Sequence, residues 1–209
     1  MIPIIRKQKI FKLPVSILCL LLCVACTEQQ HGSIRFGLSA APVTLDPRFA
    51  TDAMSDRINR LLYTRLVDFD DRFRPVPSLA RWEQLDPLHY RFKLGNEGRS
   101  FHNGAYLIAN DVKATYESLL DPANASPHRI TISIIADIEV IDDDTVDFYL
   151  HKADPLFPGR LGVGILPGEL ISSGHPFNRQ PIGSGLLKFI DWPSEGDVRL
   201  QRISDQQDI

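Results

Sequence analysis

Cysteine is nearly absent from this chain of 209 residues: Cys19, Cys23 and Cys26 are the only three. Everything after Cys26 is therefore barred from disulfides, cysteine-based zinc sites and thiol catalysis. Acidic residues are missing from the first 25 positions, where Arg6, Lys7, Lys9 and Lys12 carry the charge. An apolar run from Leu13 to Ala25, broken by Ser16, follows. It has the length of a signal-peptide core and is short for a membrane span. Histidine is sparse too. The six (31, 89, 102, 128, 151 and 175) include no pair at i, i+3 or i+4, which removes the helical His pair of a zinc site. Only His102 sits in a compact motif, where a turn role is expected. Gly162, Gly164 and Gly168 are not followed by the Lys-Ser/Thr of a phosphate loop. Ser172-Ser173-Gly174-His175 lacks a nucleophile elbow. Asp142-Asp143-Asp144 lacks the alternating ligands of a calcium loop and reads as a solvated hairpin turn. No enzyme, metal or cofactor is expected.

Leu22-Cys23-Val24-Ala25-Cys26, with polar Thr27-Glu28-Gln29-Gln30 behind it, resembles the bacterial lipobox. There a peptidase cuts before a cysteine carrying diacylglycerol, and its narrow pocket needs a small residue such as Ala25. Cys23 stands where Leu is usual. Two acyl chains, at about 0.8 kcal/mol per buried methylene, hold a protein stably on a membrane. The reading is a lipoprotein signal peptide over 1–25, a lipidated Cys26 and a tether over 26–32. The expected location is the periplasm, anchored by lipid. Cleavage leaves 184 residues; without four of the 23 Lys and Arg, 19 basic groups face 26 acidic ones, a net of −7. That balance argues against a nucleic-acid partner, which would favour a basic stripe.

The rest of the sequence reads as α+β, with antiparallel hairpins and two main helices, without internal repeats. Ile34, Phe36 and Leu38 alternate, predicting a strand over 33–38. Met54, Ile58, Leu61 and Leu62 predict a helix over 52–65, with Thr51 or Asp52 as its cap. Residues 66–69 read as a strand, with Pro75 and Pro77 marking an extended link. Residues 81–85 and 89–94 predict a hairpin that buries Tyr90, Phe92 and Leu94. The second helix, over 110–120, presents Val112, Thr115, Tyr116 and Leu119 and is stopped by Asp121-Pro122. Residues 135–141 and 145–150 predict another hairpin, 155–180 a short helix among loops, and 187–192 with 198–201 a last strand pair.

Certain short motifs recur in a known order. They are Thr44-Leu45-Asp46-Pro47 after Pro42, Leu61-Leu62-Tyr63 leading to Leu66-Val67-Asp68, and Pro77-Ser78-Leu79-Ala80-Arg81-Trp82-Glu83. Tyr90-Arg91-Phe92-Lys93-Leu94 follows, then Phe101-His102-Asn103-Gly104 ahead of Asn110-Asp111-Val112, Asp143-Asp144-Thr145-Val146 and Ile182-Gly183-Ser184-Gly185. In this order the chain resembles the family 5 extracellular solute-binding proteins of ABC importers. The departures are Asn103 in place of Asp, Ile108-Ala109 in place of the Thr-Ala that caps the helix, so that Asn110 is expected to cap, and Gly185-Leu186-Leu187 in place of Gly-Pro-Tyr.

The resemblance implies the N-terminal lobe of a periplasmic-binding-protein-like fold of type II, cluster C. Lobe I would start over 33–50, carry an inserted subdomain over 51–171 and resume over 172–209, ahead of a second lobe. Family members are more than twice as long, so the expectation is a truncated solute-binding lipoprotein of a peptide importer. The alternatives are a small lipoprotein interaction module or a non-functional remnant. The implied partners are a peptide or other small solute, an ABC permease and the membrane through the lipid, with the protein itself monomeric. In the family, backbone at the end of the first strand grips the ligand, which maps to Ala40, Ala41, Pro42 and Val43; Pro42 has no N–H to give.

Overall fold

A computed structural model describes residues 37–194 and 197–203. Cys26, the expected signal and tether, and most of the strand expected over 33–38 lie outside them. Among the described residues no helix is long and apolar enough to cross a membrane.

Helix α1 (Ala53–Leu62) starts where Asp52 caps it, its Oδ1 accepting from the N–H groups of Met54 (3.1 Å) and Ser55 (2.8 Å). Met54, Ile58 and Leu62 form its buried face. The helix stops short of the expected Arg65 because Tyr63 turns extended. The chain there joins a bridge instead, with Arg65 opposite Gly164 and the Ile165 N–H donating to the Thr64 carbonyl at 2.9 Å. Strand β1 (Val67–Phe69) then pairs antiparallel with β2 (Pro75–Pro77). The prolines expected to mark an extended link thus belong to a strand. A two-stranded ribbon consists only of edges, and edges tolerate the missing donors.

The main sheet has the order β3 (Ala80–Asp86), β4 (His89–Leu94), β6 (Thr145–Leu150), β5 (Ile135–Asp142), antiparallel throughout. Its register sets Tyr90 against Phe148 and Phe92 against Val146. Period-2 alternation sends all four inward, onto helix α2 (Ala109–Leu120), whose Val112, Tyr116 and Leu119 are fully buried. Phe148 is the hub: its ring lies 5.3 Å from Phe92 and 5.6 Å from both Tyr116 and Phe157, with Phe92 and Tyr116 meeting it edge-on. On the outer face Asp147 is fully buried, yet Arg91 grips both its oxygens (2.8 and 2.7 Å) and His89 Nε2 sits 2.9 Å away. Burial pushes that carboxyl up, and the bonds from Arg91 and His89 more than reverse it, leaving it below the ordinary range.

Asn110 does not cap α2. It is exposed, and Asp111 takes the Ile108 N–H at 2.9 Å through Oδ2 and the Gly168 N–H at 2.7 Å through Oδ1. One carboxylate thereby closes the helix start and holds the distant helix α4 (Gly168–Ser172). Burial raises this carboxyl above its usual range despite both bonds.

A single-turn helix α3 (Arg129–Ile132), the hairpin of β7 (Leu187–Ser194) and β8 (Asp197–Arg202), and short 3-10 turns at Pro122–Asn124 and Phe157–Arg160 complete the described elements. The buried apolar residues fall into two cores. One runs from Leu66 to Ile165 around the sheet and α2. The other joins Leu45, Ile58, Leu62 and Tyr63 to Leu166 and Phe177, with Phe189, Trp192, Val198 and Leu200 of the last hairpin packed against it.

Phe148→Ala is expected to destabilise the chain by about 3–5 kcal/mol in urea unfolding, since the ring's neighbours are themselves immobile aromatics. Tyr116→Phe is expected to be neutral or stabilising, because its buried hydroxyl has no partner among the described residues. A large loss from Tyr116→Phe, or none from Phe148→Ala, would contradict this packing.

Candidate functional site

Residues 40–43 lie just ahead of α1. Ala40 and Ala41 are exposed, Pro42 is buried and Val43 is 77% exposed. Ser55, in the first turn of α1, fixes this segment: its Oγ accepts from the N–H groups of Val43 (2.9 Å) and Thr44 (3.1 Å). The Val43 donor is thereby spent inside the protein, which adds to the donor Pro42 lacks. The residues the segment presents outward are Ala40, Ala41 and Val43.

The loop behind it is stapled down. Tyr63 Oη donates to the Leu45 carbonyl at 3.0 Å. Asp46, almost fully buried, takes three bonds from Arg48, two from its guanidinium (3.1 and 2.8 Å) and one from its N–H (3.0 Å), and the Arg48 carbonyl accepts from Ser126 Oγ at 2.7 Å. The Arg48 guanidinium also stands over the Phe177 ring, 5.4 Å from its centroid. Segment 40–43 thus rests on a rigid base.

Two motifs separated by about eighty residues in sequence meet behind α1. The His102 N–H donates to the Gly183 carbonyl at 2.8 Å, and His102 Nε2 lies 3.0 Å from the Gly185 carbonyl. A carbonyl accepts, so Nε2 carries the proton and Nδ1 is the bare nitrogen; Nδ1 is buried without a partner among the described residues. Gly183 and Gly185 pass so close to the carbonyls of Leu62 and Leu61 that a Cβ on either would overlap backbone. Gly185 N–H donates to the Leu62 carbonyl (2.9 Å), and Thr64 Oγ1 to the Ser184 carbonyl (2.8 Å). His102 is thus a structural pin, consistent with the expected turn role, and Gly104 takes the positive φ of +90° that its Asn-Gly turn requires.

The remaining candidates separate. Ser172 Oγ donates to the Gly168 carbonyl and His175 Nε2 meets the Gln180 carbonyl, so they form no dyad. The Asp142–Asp144 turn is more than solvated: Asp144 takes an ion pair at 2.5 Å from Arg99, which is 3% exposed, and the Asp143 carbonyl accepts from Arg99 and from the Ala109 N–H. Sequence reasoning missed Arg99, because a buried arginine in a loop has no periodicity to betray it. No group of metal-binding side chains occurs among the described residues.

The architecture has solved counterparts. It matches the oligopeptide-binding protein AppA of Bacillus subtilis, solved with a nonapeptide, at a TM-score of 0.74 and 29% identity, over 80% of this chain and 35% of that one. It matches NikZ of Campylobacter jejuni, solved with Ni(L-His), at 0.68 and 28%, over 77% and 33%. The fold is therefore the N-terminal lobe of a type II periplasmic-binding-protein-like architecture. In sequence, AppA is 30% identical over 85% of this chain and 35% of its own length. The glutathione-binding protein GsiB of Pectobacterium atrosepticum is 28% identical over 77% and 32%. Residues 74–206 match the model of the bacterial extracellular solute-binding proteins, family 5 Middle. The chain belongs to that family. It spans about a third of the length of these curated relatives.

Burial, chiefly, and the nearby Lys188 charge hold the His102 imidazole below its ordinary value of 6.5, outweighing the Gly185 carbonyl. As pH falls through about 6.5, the unfolded chain takes up a proton that the folded chain refuses. Stability should therefore drop with falling pH from there until the depressed folded value is reached. His102→Gln can still donate to the Gly185 carbonyl, and should flatten the pH 5–7 slope of urea midpoints while leaving the pH 8 stability within about 1 kcal/mol. Asp147 cannot mimic the effect, since its lowered pKa places its own loss below about pH 5, and Asp111, whose pKa is raised, acts in the opposite sense. An unchanged slope in His102→Gln would refute the assignment.

Proposed function

We propose that this chain is a lipid-anchored solute-binding component of an ABC importer, exposing a peptide-type capture surface outside the cytoplasmic membrane. The observation that carries this is the family match over 74–206 joined to the AppA likeness. The chain works by binding and release, as a monomer, and its product is a loaded protein offered to a permease. The two cores support an inserted subdomain narrower than 51–171: residues from Leu66 to Ile165 form one core, while Ile58, Leu62, Tyr63 and Leu166 join Leu45 and Phe177 in the other. Residues 40–43 are the proposed ligand contact. Their backbone grips a peptide without reading its side chains. Cys26 is the proposed lipid attachment point, based on the basic start, the apolar run and Ala25-Cys26.

Growing an expressing bacterium on an alkyne-bearing fatty acid should label the wild-type chain and leave Cys26→Ser unlabelled. Label retained by Cys26→Ser would rule the anchor out.

Binding by the 209-residue chain alone should be weak. A binding pocket encloses most of its ligand, and one lobe offers one wall of it. Two or three backbone hydrogen bonds contribute about 1 kcal/mol each, against several kcal/mol for immobilising a peptide. Val43's occupied N–H lowers the count further. Calorimetric titration with di- to pentapeptides should show no Kd tighter than about 100 μM. Micromolar binding would mean that the site lies elsewhere on the chain.

A further inference from the structure

Residues 40–43 sit at one end of α1, and a second feature stands at the other, roughly 12 Å further along the axis. An open cavity of about 670 Å3 is walled there by the last turn of α1, the loop 96–100 and the segment 184–186. Its volume is in the usual range for small-solute sites. Three observations say what would fill it. First, Ser184 lines the cavity and is 6% exposed; its carbonyl is bonded to Thr64, but its Oγ has no partner among the described residues. A buried hydroxyl without a partner costs free energy that a ligand acceptor would recover.

Second, two lining guanidiniums, Arg60 and Arg65, stand against two carboxylates. Asp56 pairs with Arg65 at 2.6 Å and with Arg60 at 3.3 Å, while Asp68 is 3.7 Å from Arg60. Charge is matched there, but two forks carry more N–H donors than these contacts use, and the Arg65 side chain, 10% exposed, holds its charge where water screens it poorly. Third, the same walls carry the carboxylates of Asp68 and Glu97. A doubly charged oxyanion such as phosphate would meet repulsion from both, and a neutral solute would use none of these charges. A group bearing both signs satisfies them together.

We propose that this cavity is a second binding site, taking a small zwitterion of the amino-acid type. Its carboxylate bonds to the guanidiniums of Arg60 and Arg65 and to Ser184 Oγ, and its ammonium is received by Glu97. The site stands independently of any peptide held at 40–43, and the two are separated by where a ligand perturbs the chain.

The test is a backbone-amide NMR titration of the full chain at low salt with L-alanine, acetate and methylammonium, one at a time. Alanine should shift the amides of 96–100 and 184–186 saturably and leave 40–44 unmoved. Acetate and methylammonium should each bind at least about tenfold more weakly, because each makes half the charge contacts. Ser184→Ala should weaken alanine by about fivefold without loss of stability, since that hydroxyl gives up no bond. Arg60→Gln, on an exposed turn of α1, should abolish saturation, and Glu97→Gln should erase the preference for alanine over acetate. Acetate binding as well as alanine would overturn the zwitterion. So would alanine shifts confined to 40–44, no saturable shifts at all, or shifts indifferent to both Ser184→Ala and Arg60→Gln.

Discussion

The approach of Gly183 and Gly185 to the end of α1 is the contact on which the rest of the arrangement depends. A helix leaves its last carbonyls without partners, and here the Leu62 carbonyl is answered by the Gly185 N–H. The approach is so close that a side chain at 183 or 185 would strike backbone, which cannot yield as a flexible side chain can. Gly164 leaves the same kind of room for the Tyr63 side chain, whose Cβ and ring a β-carbon there would strike. Two stretches far from α1 in sequence, at 164 and at 183–185, are thus brought to one helix terminus by the absence of three β-carbons. Tyr63, clamped on both sides, reaches through to the Leu45 carbonyl and fixes the loop that follows residues 40–43.

That geometry bears on how a capture surface is built from such weak parts. Backbone contacts discriminate little and each contributes little, so their value lies in being held in place before a ligand arrives. Ser55 accepting from two successive N–H groups, Asp52 capping the same helix and Tyr63 tying down Leu45 all immobilise the segment from within. The same economy limits it: the donor that Ser55 secures is one a ligand does not receive.

Much of the fold was legible because hydrophobic periodicity is a local signal. Tyr90, Phe92 and Leu94, or Val146, Phe148 and Leu150, announce a half-buried strand wherever they occur, and both hairpins and both helices lie where such patterns place them. The site was legible only in outline. The motifs Phe101-His102-Asn103-Gly104 and Ile182-Gly183-Ser184-Gly185 stood out, but that one clamps the other depends on tertiary closure across some eighty residues. Asp111 displaced Asn110 as the cap for a similar reason: its second oxygen is wanted by Gly168, and no local rule sees that far. Pro75 and Pro77 misled in the other direction, since proline forbids a central strand and leaves a two-stranded ribbon open.

In the loop from Arg99 to Leu107, largely exposed, a buried arginine and a half-buried histidine make the bonds that tie it down. Arg99 spends its fork on the Leu107 and Asp143 carbonyls and the Asp144 carboxylate, tying the loop to the β5–β6 turn and so to the sheet core. Three positions on, His102 ties it to Gly183 and Gly185, and so to the outer core. Apolar contact alone would let the two cores slide, because hydrophobic attraction scales with area and is indifferent to register. Hydrogen bonds to particular carbonyls are directional, and a shift of one residue would leave each buried donor unpaired at a cost of about 1–3 kcal/mol. This strut therefore adds to the registration that the Asp111–Gly168, Thr115–Leu166 and Ser126–Arg48 bonds also supply, and it ends on the close seat of Gly183 and Gly185 against α1, whose first turn fixes the backbone of residues 43 and 44.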